Sequence, residues 1–540
     1  MYGDVPIALG GIGLFLLGMI ILTQGLRDLA GSSLRRVLAR FTSSPLKGAA
    51  AGAVVTAIVQ SSSVTTVTAV GFVGAGLLTF PQGLGIVLGA NIGTTITGWL
   101  VALLGFKLSL GSAVLPLVLI GALLRLFGGS RLAAAGWALA GFGVLFIGIE
   151  TMQEGMSRLE GIVTPADFPD DSLGGRLLLV LIGVGITLVT QSSSVGVATA
   201  LAALGSGAIS FPQAAAMTIG MDVGTTFKAA LATLGGSTAT RRTGFAHVIY
   251  NLMTGVLALC ILDLYALLTE RWLAGGGAEA AQFALVGFHT TFNVLGVVLV
   301  LPFAEPFARF LTFLFQERGP ALTRRLDDRL LDHPPLAVYA ATSTAGDIIR
   351  HVASAFGELL DPRYEAPAGL SESAAFDDAL VRTRSFVDRI RSESLEPELQ
   401  SRHAATIHIL DHSLRLIHRG QQEDRVRTLH TEHRLRRLSL VLSDALNRSA
   451  EATIASEVER FHRITQLLGQ QRRRYRELMV MSAISAEVDT ETALMRLDAM
   501  RWLYRVSYHL SRIAHHMSCM ERGVRPAGAR DEIAGEVALD

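Results

Sequence analysis

Apolar positions run almost unbroken through long stretches of the first three hundred residues. Stretches near 5–26, 82–105, 111–127, 133–153, 213–235, 243–268 and 283–303 are close to the ~20 residues a helix needs to cross a bilayer at 1.5 Å rise per residue. Each predicts a spanning helix. Two further apolar regions, 48–78 and 177–208, are interrupted at their centres by Gln60-Ser61-Ser62-Ser63 and Gln191-Ser192-Ser193-Ser194. Each reads as one helix with a polar waist or as a re-entrant hairpin, two half-helices meeting at a polar tip. The hairpin is favoured, because polar groups at mid-depth are tolerated where the chain lines a cavity and not lipid. From about Leu336 the pattern changes. Apolar residues recur at spacings of three and four in 375–395, 403–420, 430–448, 451–487 and 490–518, as in a water-soluble helix bundle. The predicted fold class is therefore all-α, a polytopic membrane half followed by a soluble helical bundle.

The polar runs belong to an internal repeat. Thr79-Phe80-Pro81-Gln82 recurs as Ser210-Phe211-Pro212-Gln213, and Gly89-Ala90-Asn91-Ile92-Gly93-Thr94-Thr95 recurs as Gly220-Met221-Asp222-Val223-Gly224-Thr225-Thr226. Gly74 and Gly76 recur as Gly205 and Gly207, and all these blocks share an offset of 131 with the two Gln-Ser-Ser-Ser runs. The first helix matches with the offset shifted by one, Gly11 to Gly18 against Gly141 to Gly148. Five ordered blocks at nearly constant spacing make this a duplication. Repeat one covers about 5–130, repeat two about 135–265, and an extra helix about 283–303. The domains are then 1–315 in the membrane, a linker over 316–335 and a helical domain over 336–540.

Composition sharpens this division. The chain is 50% hydrophobic and 17% charged, against about 25% charge in soluble domains, and its mean hydropathy is +0.43. Residues 1–320 hold 30 charged side chains and the last 220 hold 63. The first stretch, Val5 to Leu26, lacks a basic leader and a cleavage site, so it reads as a retained helix. A net charge of +1 gives no reason to expect a nucleic-acid partner. Cys260 and Cys519, one in each half, imply no disulfide framework.

Basic residues set the expected orientation. Arg27, Arg35, Arg36, Arg40 and Lys47 follow the first helix, so that loop reads as cytoplasmic and the N-terminus as outside. Arg125, Arg131, Arg241 and Arg242 then fall inside, Asp167, Asp170 and Asp171 fall outside, and the charged C-terminal half is cytoplasmic; Lys107 alone disagrees. Three spanning helices in repeat one would insert repeat two upside down, the inverted-repeat plan of secondary transporters.

A hairpin tip offers first-turn N–H groups to an anion. Hydroxyl, amide and carbonyl oxygens there suit a hard cation such as Na⁺. The candidate substrate and ion ligands are Gln60, Ser61, Ser62, Ser63, Asn91, Thr94, Thr95, Gln191, Ser192, Ser193, Ser194, Asp222, Thr225 and Thr226. The halves differ at two places. Asp222 stands where repeat one has Asn91, and Lys228 where it has Thr97. Charged groups at membrane depth default to function: Asp222 would strengthen a cation site, or Lys228 would stand in for a coupling cation. The alternative is a neutralising Asp222–Lys228 ion pair, which at a spacing of six would need a helix break near Gly224. His247 and Asn251, like His289 and Asn293, lie four apart on a late helix. They read mainly as interhelical hydrogen-bonding groups, with Asn251 and Asn293 as supporting site residues. Glu150 and Glu154 read as an interfacial face. Twelve of the 14 histidines lie in the C-terminal half. His408 with His412, and His515 with His516, read as packing or solvated groups, since no third ligand completes a metal site.

The paired Gln-Ser-Ser-Ser runs, each followed by a Gly-x-Asn-Ile-Gly-Thr-Thr type block, resemble the sodium-dependent phosphate cotransporter family, which includes the animal type II sodium–phosphate cotransporters and bacterial relatives. The resemblance covers about residues 5–310. It implies inorganic phosphate as substrate and Na⁺ as transported coupling ion, bound at the two tips and moved by alternating access in a bacterial inner membrane, with no organic cofactor. By position the C-terminal half resembles a PhoU-like regulatory domain. That family's acidic metal motif is not clear here, so no metal is carried over, and a second copy of the chain or a regulatory partner would dock on this half. No nucleophile–base pair or phosphate loop argues for an enzyme. Transport of another small anion such as a carboxylate, or phosphate sensing without translocation, remain the competing readings.

Overall fold

The computed structural model describes residues 4–107, 114–158, 162–233, 238–316, 321–363, 370, 373–393, 395–451 and 454–524, and among them every regular element is a helix. The chain forms two units, Met1–Glu317 and Arg318–Asp540.

The first unit begins with α1 (Asp4–Arg40), which breaks at Gly31, then α2 (Pro45–Val59), α3 (Ser62–Gly74) and α4 (Phe80–Leu100). A π-helical segment, Val101–Lys107, continues α4 and precedes α5 (Leu115–Phe127). Then come α6 (Ser130–Ser157), α7 (Leu173–Thr190), α8 (Ser193–Gly205), α9 (Phe211–Gly224) and α10 (Thr226–Thr233). The unit ends with α11 (Thr238–Val300) and α12 (Ala304–Leu314). Among the described residues, five helical stretches are long and apolar enough to cross a membrane: Val5–Gly31, Phe80–Gly105, Ser130–Ser157, Leu173–Thr190 and Thr238–Leu314. By contrast α2, α3 and α8 have 15, 13 and 13 residues. They span only about 20–22 Å of a hydrocarbon core about 30 Å thick. Outward-facing Leu119, Leu181, Val189 and Leu268 are each more than 60% exposed, the distribution expected of a surface that meets lipid and not water.

Four expected spans take a different form. The segment expected at 111–127 is a 13-residue helix, α5, with residues 108–113 outside those described. The segment expected at 213–235 ends as α9 and restarts as α10 at Thr225, whose hydroxyl and amide both turn back to the carbonyl of Asp222. The last two spans are the arms of α11, which reverses at Gly277 (φ 58°). There the left-handed backbone suits a residue without Cβ. Tyr265 OH donates to Ala284 O at 3.1 Å across the arms.

Glycine sets the distances between helices. On α1, a Cβ added at Gly11, Gly18 or Gly25 would lie 2.3 Å from the backbone N of Met152, Leu145 or Ala138 on α6. On α6, a Cβ at Gly141, Gly148 or Gly155 would meet Leu22, Phe15 or Ala8 of α1 at 2.2–2.3 Å. The pairing descends on one helix as it ascends on the other, so α1 and α6, the equivalent first helices of the two repeats, pack antiparallel. Close small-residue seams of this kind drive helix association where no water is present to be expelled. The pairs α2–α4 and α7–α9 repeat the device. A Cβ on Gly89 of α4 would sit 1.9 Å from Ala49 O of α2, and one on Gly220 of α9 would sit 1.9 Å from Val180 O of α7. Both pairs keep the offset of 131.

The second unit comprises α13 (Pro334–Leu360), α14 (Ser373–Asp388), α15 (Pro397–Gly420), α16 (Glu423–Thr431), α17 (His433–Glu451), α18 (Val458–Ile484) and α19 (Thr490–Arg522). Buried Leu416, Ile417, Phe461, Trp502, Leu503 and Ile513 anchor its core. The indole of Trp502 donates to Arg419 O at 3.0 Å. His408 stacks on His516 with ring centres 4.7 Å apart, and His412 Nδ1 lies 3.3 Å from His509 Nδ1. These histidines pack in the helix seam, and no group of three or more His, Cys, Asp or Glu among the described residues is arranged to hold a metal.

Candidate functional site

Both Gln-Ser-Ser-Ser runs are the turns between paired helices. Gln60 ends α2 in the left-handed conformation (φ 56°) and Gln191 ends α7 in the same way (φ 58°). A glutamine pays strain for a positive φ, so two at one offset mark a constrained turn. Ser61 and Ser192 then cap α3 and α8, each side chain accepting from the amide three residues on, Val64 N and Val195 N at 3.4 Å. Caps of this kind satisfy one amide and leave first-turn N–H groups that no helical carbonyl reaches.

All eight residues of the two runs line a single cavity of 440 Å³. Thr94, Thr225 and Lys228 line it as well. Polar lining residues not placed in the site from the sequence include Thr23, Gln24, Arg27, Thr97, Thr187 and Thr190. Thr97 could have been placed there, since it is the counterpart of Lys228. The two residues perform parallel tasks. Thr97 Oγ1 donates to Gln60 Oε1 at 2.8 Å, and Lys228 Nζ donates to the carbonyl of Gln191. Thr97 therefore fastens α4, and Lys228 fastens α10, to the glutamine of its own tip. Arg27 and Lys228 are the cationic side chains of the lining.

The remaining candidates stand behind the cavity wall. Thr95 and Thr226 turn inward to the carbonyls of Ile92 and Val223, at 2.8 and 2.7 Å. Asn91, Asp222, Asn251 and Asn293 form a buried polar cluster with His247 and His289. Asn91 donates to Asn251 Oδ1, and its own Oδ1 lies 3.3 Å from His247 Nε2. Asp222 Oδ1 lies 3.2 Å from His289 Nε2, and Oδ2 accepts from Asn293 Nδ2 at 2.8 Å. Each His-x-x-x-Asn segment, one on each arm of α11, thus clasps the equivalent residue of one repeat. Asn251 Nδ2 also reaches Asp222 O at 3.2 Å and Thr225 Oγ1 at 3.3 Å, tying the cluster to the lining. One alternative is corrected here. The helix does break at Thr225, but Asp222 and Lys228 form no ion pair: the carboxylate faces His289 and Asn293, and the ammonium faces Gln191. Nor does the Asp222 side chain line the cavity with the tips.

This arrangement defines a class: a polytopic helical membrane protein whose two matching Gln-Ser-Ser-Ser turns line one cavity. The chain belongs to the Na⁺/Pi-cotransporter family, which it matches over residues 14–154 and 170–291. It is 32% identical over 301 residues to "Uncharacterized protein YqeW" of Bacillus subtilis, covering 56% of this chain and 94% of that one. It is 29% identical over 371 residues to "Putative inorganic phosphate export protein YjbB" of Escherichia coli K12, covering 66% of each. Over 104 residues, 19% of this chain and 15% of the relative, it is 36% identical to the human "Sodium-dependent phosphate transport protein 2B". No solved structure matches the chain.

Proposed function

We propose that the protein is a Na⁺-coupled inorganic phosphate transporter of a bacterial inner membrane, working by alternating access. The observation that carries this reading is the convergence of both Gln-Ser-Ser-Ser turns on one cavity. First-turn amides and Ser hydroxyls there suit the oxyanion. Arg27 and Lys228 raise the local anion concentration, and the oxygens of Gln60, Gln191, Thr94 and Thr225 suit Na⁺. The antiparallel packing of α1 against α6 supports inverted repeats, and the shortness of α2, α3 and α8 supports re-entrant hairpins. The N-terminus is then outside, and the second unit is a cytoplasmic regulatory domain of the PhoU-like kind. Alternating access is reversible. The same site would therefore serve uptake or the export named for the Escherichia coli relative, as the ion gradient dictates.

Competition tests the substrate. Uptake of labelled phosphate into proteoliposomes is expected to be suppressed by unlabelled phosphate and not by an equal concentration of a dicarboxylate. Suppression by the dicarboxylate, or no uptake at all, contradicts the reading.

A further inference from the structure

We propose that α12 is a membrane-interface helix, lying across the ends of the spanning helices with one face sunk into the headgroup–acyl boundary of the bilayer. Its placement follows from the two arms of α11. Tyr250 OH reaches Asn293 O at 3.4 Å, and a Cβ on Gly296 would lie 2.2 Å from Thr254 Cγ2. Residues 241–245 of the first arm are therefore level with the turn just beyond Val300. Had the second arm run on straight, Phe315 would stand about 22 Å past Val300 at 1.5 Å per residue. Instead Arg242 Nε donates to Phe315 O at 2.8 Å, the rings of Phe245 and Phe315 lie 4.8 Å apart, and the Arg241 guanidinium is 5.4 Å from the Phe315 ring centre. The helix begins and ends at one level, so it runs across the bundle end and not along the arms.

Helical spacing divides α12 into three faces. Ala304, Ala308 and Leu311 are buried. Of these, Ala304 and Leu311 pack among Ala49 of α2, Leu84 and Leu88 of α4, and Val297 and Val300 of α11. Glu305, Arg309 and Thr312 form a second, polar strip that is exposed. The third face is apolar and open: Phe303, Phe310, Phe313 and Leu314 are 63%, 50%, 73% and 49% exposed.

A phospholipid bilayer is the occupant these faces fit. Large apolar side chains gathered on one side of a short surface helix mark an interaction site, and an apolar face beside a charged one is the pattern of a helix lying in the interface plane. The patch also continues the outward surface of the second arm, where Val298 and Leu299 are 60% and 54% exposed, so it adjoins the surface that meets lipid. Charge agrees with this occupant. The helix carries one acidic residue, Glu305, against Arg309, and Arg241 and Arg242 stand beside Phe315 just past its end. An arginine beside an apolar face lays its stem along that face and extends its guanidinium to the lipid phosphates.

Spin labelling of the full chain in phospholipid vesicles tests this. In a Cys260→Ser, Cys519→Ser background, Phe313→Cys and Thr312→Cys each carry one nitroxide. Lipid-dissolved oxygen is expected to relax the label at 313 several-fold more than a water-soluble nickel chelate does, and the order is expected to reverse at 312. A label at 313 that meets the chelate as readily as the label at 312 overturns the inference, because the face is then in water. A label at 313 that meets neither reagent also overturns it and assigns the face to protein, either a second copy of the chain or the second unit. Phe310→Cys, on the same face, gives the same readout should Phe313→Cys not be recovered. None of these outcomes depends on phosphate movement, so the transport function proposed above stands or falls separately.

Discussion

Asn91 and Asp222 occupy the same place in two copies of one fold, and each is clasped by a His and an Asn spaced four apart on one arm of α11. The four-residue spacing stacks both clasping groups on one helix face. The arms of α11 therefore hold together α4 and α9, the helices that carry the second motif of each repeat.

Removing a clasp strands its partners. Asn251→Ala leaves the Asn91 amide without its acceptor, and an unmet buried group costs about 1–3 kcal/mol, while Asp222 O keeps its bonds from Thr225. Asn293→Ala removes the amide from Asp222 Oδ2. Both variants are expected to melt below wild type in detergent, and unchanged melting temperatures in both would contradict the clasp.

Overpacking should break the two repeats alike. Gly89→Ala and Gly220→Ala place a methyl group 1.9 Å from a carbonyl oxygen of the neighbouring helix, where overpacking costs about 1–3 kcal/mol or more. Gly185→Ala, on α7, meets nothing within 4 Å. Monodisperse protein recovered after size exclusion is expected to drop for the first two and to stay at wild-type levels for the third.

At the tips, Ser62→Ala and Ser193→Ala each remove one hydroxyl from the cavity. At about 1–3 kcal/mol per lost partner, apparent affinity for phosphate or Na⁺ is expected to fall about 5- to 150-fold. Transport kinetics with both ligands titrated would check this, and wild-type values in both variants would remove the tips from the site.

Acid should loosen the second unit. Burial pushes His509 down to about 3, helped by His412, Arg419, Arg415 and Arg505. Burial likewise pushes His516 down to about 3, with Arg512, His408, His412 and His515 adding to it. Both are neutral when folded and ordinary, near pH 6.5, when unfolded. Between those values the unfolded chain binds more protons, so stability falls as pH drops below about 6.5, by up to about 1.4 kcal/mol per pH unit for each histidine. Calorimetry of the full chain is expected to show a transition that moves to lower temperature at mildly acidic pH, and less so in His509→Gln. An equal shift in that variant would contradict the assignment.

Much of this was legible in the sequence. The offset of 131 located both tips, the Asn91 and Asp222 blocks and the Thr97–Lys228 correspondence, since a duplication copies sequence and geometry together. The His-x-x-x-Asn spacing likewise pointed to interhelical bonds. What escaped was direction. Hydropathy cannot tell that α9 stops at Thr225, because the break comes from side-chain and amide bonds returning to Asp222 O. Nor can spacing tell that the Asp222 carboxylate turns to His289, 67 residues away, and not to Lys228, which is nearer in sequence. Arg27 and Thr187 enter the cavity through tertiary packing of α1 and α7, which no local pattern encodes.

The most direct measurement is phosphate flux into proteoliposomes of the purified chain as external Na⁺ is titrated against K⁺ at constant ionic strength. The account predicts saturable uptake that rises with Na⁺, is negligible in K⁺ alone, and loses Na⁺ affinity when Ser62 or Ser193 is replaced by Ala. Uptake that proceeds equally well in K⁺, or the absence of uptake in either cation, would contradict it.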